Sequence, residues 1–80
     1  MEKQRIYSML DEVFQDVFDD ESIHVTPETT ADDIEDWDSL EHINLVVAVE
    51  NKFGIKFKMS EVVSFRNVGE MADVIAARAV

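Results

Sequence analysis

The 80-residue sequence predicts an all-α fold: a small antiparallel bundle of three principal helices plus one short helix, with a long first loop. Three observations predict it. Apolar residues recur at helical period in three separate stretches. Residues that cap helix starts open two of those stretches. Two glycines and one proline are too few for a β-rich fold full of tight turns. A chain of this length makes one domain, spanning 1–80, and sits near the size at which one hydrophobic core is just sufficient.

The first helix is carried by Ile6, Met9, Leu10, Val13, Phe14, Val17 and Phe18, a continuous apolar stripe. Asp19-Asp20-Glu21 suits the negative end of a helix dipole poorly, so the stop is expected near Phe18. Residues 19–37 form a long connection. Thr26-Pro27 suits a short turn, and Thr30 with Asp33 is spaced to cap another. Ile23, Val25, Ile34 and Trp37 are expected to pin this loop to the core. Connections of such length are uncommon in compact domains and often functional.

The second helix is expected to open at Asp38, spaced from Glu41 as a capping box, and to run to Phe53 with Gly54 as a left-handed terminator. A short helix over about Ser60–Phe65 follows. The last helix starts at Asn67, with Glu70 completing a second box and Val68, Met71, Ala72, Ile75, Ala76 and Ala79 as its stripe. Ile55-Lys56-Phe57-Lys58 alternates like a strand, but the sequence holds no partner strand for it. The second helix carries two apolar stripes. Leu45, Val46, Val49 and Phe53 lie on one; Leu40, Ile43 and Val47 lie roughly opposite. Either both are buried, or the second is a contact strip rimmed by acids.

Charge and composition exclude several function classes. Seven Lys plus Arg against eighteen Asp plus Glu give a net charge of −11, which repels nucleic acid and anionic membranes. Fourteen of those carboxylates fall between Ile6 and Asn51, where Lys and Arg are absent. Such a field is either a solvated face or a steering surface for basic partners. Without cysteine there is no disulfide, thiolate metal site or cysteine nucleophile. No apolar run approaches the roughly 18 residues of a membrane helix. Met1-Glu2-Lys3-Gln4-Arg5 lacks the apolar region of an export signal, which predicts a cytoplasmic protein.

Catalytic and metal chemistry find little support. Placing Asp36 and Asp38 at the first positions of a calcium loop puts Glu41 where glycine is required and Val47 where a bidentate acid is required. His24 and His42 lack a glycine-rich elbow or oxyanion site, and His42 reads as a packed or capping histidine. The chain is not expected to be an enzyme, and no metal site is expected.

Ser39 directly follows the Asp38 cap, so its hydroxyl is free at the positive end of a helix, where a phosphate is favourably placed. Asp38-Ser39-Leu40 and the run Glu41 to Ile55, with its Leu45, Val49-Glu50 and Phe53-Gly54-Ile55, resemble the acyl carrier protein family. The first-helix stripe, the acidic loop and Asn67-Val68-Gly69-Glu70 sit where that family has them, so the resemblance covers nearly the whole chain. It implies a 4′-phosphopantetheine arm on Ser39, installed from coenzyme A by a phosphopantetheinyl transferase that holds magnesium. The arm's thiol would carry acyl groups as thioesters. The resemblance further implies that Asp38 positions the transferase, and that Leu40, Glu41, Ile43 and Val47 face partners: acyl-loading and acyl-transferring enzymes with basic docking surfaces, met by a monomeric carrier. The apolar interior would shelter a short acyl chain. Asp36-Trp37 replaces the Gly-Ala common in housekeeping fatty-acid carriers, Asn44 replaces a Glu, and Lys52, Lys56 and Lys58 add positive charge. These departures leave open fatty-acid, polyketide or another specialised pathway, an aminoacyl or peptidyl carrier, and an unmodified acidic interaction module.

Overall fold

The computed structural model describes residues 1–79. Helix α1 spans Lys3–Val17, α2 Ser39–Phe53, α3 Met59–Val62 and α4 Val68–Arg78, with a single 3-10 turn at Ala31–Asp33. The described residues contain no strand; Ile55 is buried and Phe57 half-buried in an extended connection. The core gathers Ile6, Leu10 and Phe14 of α1, Leu45 and Val49 of α2, and Val68, Met71 and Ile75 of α4, all fully buried. These are the positions that helical periodicity selects.

Helix ends follow local chemistry. Phe18 caps α1, and Asp19 then takes a left-handed conformation (φ 50°), with Asp20 N–H donating to the Gln15 carbonyl at 3.0 Å. This is the usual helix-reversal geometry, with aspartate where glycine is commoner. Gly54 (φ 67°) ends α2. Both expected capping boxes are half-formed. Asp38 accepts from Glu41 N–H at 2.8 Å, but the Glu41 carboxylate turns to Asn44 at 3.4 Å. Asn67 accepts from Glu70 N–H at 2.9 Å, while Glu70 reaches back one residue further, to Arg66 N–H. The short helix begins one residue earlier than expected and is over by Val62. The Glu61 carboxylate caps it at Lys58 N–H (2.8 Å), and the Ser64 hydroxyl takes the Glu61 carbonyl in the turn that ends it.

The long loop is held from three sides. Gln15 donates to the Ile23 carbonyl and the Asp11 carboxylate accepts from Val25 N–H, at 2.8 and 2.7 Å. Val25 is buried, and Ile23, Ile34 and Trp37 pack on the core, as expected. The loop also caps α4: the Thr29 and Pro27 carbonyls accept from Val68 and Gly69 N–H at 2.9 and 3.0 Å. A Cβ on Gly69 would lie 2.9 Å from the Pro27 oxygen, so this close approach requires glycine.

Arg78 closes the other end of the bundle. Its guanidinium grips the Glu61 carboxylate with two bonds (2.6 and 2.5 Å) and donates to the Lys56 carbonyl at 3.1 Å, tying α4 to α3. Arg78 first, then Lys58 N–H, hold the Glu61 carboxyl below its ordinary value of 4.5. A carboxyl depressed in the folded state contributes stability above its unfolded pKa and loses it as pH falls through the folded value. Glu61→Gln should therefore lower the melting temperature at pH 7, with the deficit against the native chain shrinking as pH falls below about 4.5. A deficit that stays constant in melts from pH 7 to pH 3 would show that the ion pair is not its source.

Candidate functional site

The site forms where the long loop becomes α2. Asp38, extended at φ −105° and ψ −174°, caps the helix with its carboxylate, and its carbonyl accepts from His42 N–H at 2.9 Å. Ser39 is thereby the first residue of α2. It is exposed, and its hydroxyl has no hydrogen-bond partner among the described residues. The Asp38 carboxylate is committed to Glu41 N–H, so the N–H groups of Ser39 and Leu40 face outward without a protein acceptor among the described residues.

Beside Ser39 lies an open groove of about 420 Å³ between α2 and α3. Its walls are Ile43, Val62, Val63 and Phe65; Trp37 and His42 also line it, with Arg66 and Asn67 on its rim. Arg66 is the one cation there, and its guanidinium pairs with no carboxylate among the described residues. Two larger grooves, of about 510 and 650 Å³, are lined by the acidic loop and by the α1–α2 flank; neither includes Ser39.

Trp37 and His42 are joined. The Trp37 indole N–H donates to His42 Nδ1 at 3.0 Å, which leaves the imidazole proton on Nε2, where it donates to the Val62 carbonyl at 2.8 Å. The two ring planes lie within 20° of each other with centroids 5.9 Å apart, so the rings meet edge to edge through this bond. His42 is thus packed, as expected, but as a bridge between the loop, α2 and α3. Its signal in the sequence was only a histidine five residues after a tryptophan across a helix cap. His24 stands on the exposed loop, 3.2 Å from the Asp11 carboxylate, and does not line the groove.

The two stripes of α2 have different fates. Leu45 and Val49 are fully buried and Val46 and Phe53 nearly so, whereas Leu40, Ile43 and Val47 are 71%, 49% and 50% exposed. Glu41 is half-buried at the edge of this strip. Met59 of α3 and Val63, the residue that caps its end, are exposed too, a contribution that short-helix periodicity could not reveal. The rest of the described residues therefore leave Leu40, Ile43 and Val47 uncovered.

A family model described as a phosphopantetheine attachment site matches residues 9–75. The chain is also 36% identical to an acyl carrier protein of Acidothermus cellulolyticus, over 95% of this chain and 90% of that one. The chain belongs to the acyl carrier protein family. A meromycolate extension acyl carrier protein of Mycolicibacterium aurum is 33% identical over 91% of this chain and 75% of its own length. The solution structure of a holo acyl carrier protein from Geobacter metallireducens superposes with a TM-score of 0.84 at 44% identity, covering 90% of this chain and 83% of that one.

The prosthetic group of acyl carrier proteins is 4′-phosphopantetheine. The surroundings of Ser39 suit it: an exposed hydroxyl, two outward N–H groups for a phosphate, and an apolar groove alongside for the arm. Among the described residues no helix is long and apolar enough to cross a membrane, and no three His, Asp or Glu side chains converge as a metal cage.

The carrier's acidic face is poorly compensated. Of the carboxylates between Ile6 and Asn51, only Glu12 and Glu50 lie within 4.0 Å of a lysine among the described residues, at 3.7 and 4.0 Å. The remainder repel one another in the compact state. Raising sodium chloride from low ionic strength should therefore raise the melting temperature by screening. A flat or falling melting temperature would count against net self-repulsion.

Proposed function

We propose that Ser39 is the attachment point of the 4′-phosphopantetheine arm, and that the protein carries acyl intermediates on it between biosynthetic enzymes, without catalysing a reaction itself. The exposed Ser39 hydroxyl, free at the first turn of α2 beside an apolar groove, carries this reading. The Ser39 oxygen receives the phosphopantetheinyl group from coenzyme A; its bond to phosphorus forms as the bond to the adenosine 3′,5′-bisphosphate leaving group breaks, and the hydroxyl proton passes to the transferase. When bound, the arm supplies the thiol that this cysteine-free chain lacks. Asp38 holds the helix start, and so Ser39, in place through its bond to Glu41 N–H. The outward N–H groups favour the phosphodiester's charge.

Leu40, Ile43 and Val47 form the apolar centre of the docking surface, and Glu41 with Asp38 supplies its charge. This design suits a phosphopantetheinyl transferase and acyl-loading and acyl-transferring enzymes with basic docking surfaces, steered by the long-range field of a monomeric, cytoplasmic domain. The pathway is fatty-acid, polyketide or a related specialised synthesis. Likeness to carriers of meromycolate extension favours the building of lipid chains over aminoacyl or peptidyl transfer. Intact mass after incubation with coenzyme A, magnesium and a broad-specificity phosphopantetheinyl transferase tests the reading. A gain of one phosphopantetheinyl group, mapped to the peptide containing Ser39, is expected. An unchanged mass would favour an unmodified acidic interaction module.

A further inference from the structure

We propose that Trp37 and His42 form a latch that closes the interior of the bundle to the cargo, so that this carrier takes short acyl groups and holds them in the groove beside Ser39. The inference rests on Ser39 as the attachment point and names the class of cargo. Both rings line the groove. Behind Trp37 stand Phe14 and Phe18 of the core, at 5.2 and 6.3 Å between centroids, the first edge-to-face. The pair therefore stands between the groove and the apolar interior.

The latch is fastened to three elements. Trp37 belongs to the loop, His42 to α2, and the Val62 carbonyl to α3, and two hydrogen bonds of 3.0 and 2.8 Å join them in series. A chain entering here must part the two rings and break one or both bonds, leaving half-buried polar groups against hydrocarbon. Each such loss weighs roughly tenfold or more against entry. Each methylene buried weighs about fourfold in favour. An acetyl group has no methylene to set against this, and the two of a butyryl group, about sixteenfold together, repay at most one of the two bonds; only longer chains repay the whole latch. The groove, walled by Ile43, Val62 and Val63, accepts the short groups without any opening.

The test loads the full chain with acetyl-, butyryl-, hexanoyl- and octanoyl-pantetheine from the corresponding coenzyme A thioesters, using a broad-specificity transferase and intact mass to verify loading. Methyl NMR then locates each chain, and the Trp37 indole N–H signal reports the latch. In the native protein, acetyl and butyryl should move the Ile43 and Val63 methyl signals and leave Leu45, Val49, Met71 and the indole N–H unmoved. Core signals should respond only to longer chains, together with the indole N–H. Trp37→Phe keeps a ring but removes the donor, so core signals should move at a shorter chain length than in the native protein. Butyryl reaching the core of the native protein, or an equal threshold in both proteins, would overturn the latch. Should Trp37→Phe fail to fold, the native series still decides through the indole N–H. No mass gain with any thioester would instead remove the carrier reading, and this inference with it.

Discussion

Ser39→Ala abolishes loading with phosphopantetheine while the chain remains folded. The hydroxyl makes no hydrogen bond among the described residues, and the Asp38 cap at 2.8 Å does not depend on it. Alanine is the better helix former, so stability should change by less than about 0.5 kcal/mol. The other serines are unsuited to replace it. The Ser22 and Ser64 hydroxyls are bonded to Asp20 and to the Glu61 carbonyl, Ser8 lies within α1, and Ser60 stands in the four-residue α3. Intact mass and a thermal melt of the variant check both halves. Mass gain by the Ala variant, at any serine, would refute the assignment.

Val47→Ala and Val49→Ala make the same chemical change on opposite faces of one helix, and their effects should be exchanged. Val49 is fully buried among Leu45, Phe14 and Met71 of the same core, so its truncation removes buried methyl groups and leaves a cavity. A cost of about 2–3 kcal/mol is expected, a drop of roughly 10 °C or more for a domain of this size. Val47 is half exposed, and its truncation should cost less than about 1 kcal/mol while slowing transfer by a phosphopantetheinyl transferase. Glu41→Lys should slow transfer as well, more at low salt than at high, because it inverts a steering charge. Melts and loading rates of the three variants check this. Equal destabilisation by the two valine truncations would mean that the docking face lies elsewhere.

Much of the fold is legible because its determinants are local. The α1 stripe, the Asp38 and Asn67 caps and the Gly54 stop each need only residues within a turn or two of one another. Ser39 is legible for the same reason: a cap beside it frees its hydroxyl whatever the rest of the chain does. Helix α3 starts one residue before its expected position and ends three before. Its cap comes from Glu61 inside the helix, whose carboxylate is shared with Arg78 far along the chain. Four residues are too few for a hydrophobic period to outweigh such partners.

The three long helices, their caps, the acidic field and the serine at a helix start are written in the order of residues alone, since propensity, period and capping act over one or two turns. Which of the two apolar stripes on α2 is covered depends on tertiary packing, because both have helical period and docking against α1 selects Leu45 and Val49 over Ile43 and Val47. Tertiary packing likewise decided that Gly69 must pass under the Pro27 carbonyl, and that Trp37, His42 and Val62 meet beside Ser39. Contacts between segments depend on how helices dock, and no local pattern of residues encodes a hydrogen bond between an indole, an imidazole and a carbonyl from three different elements.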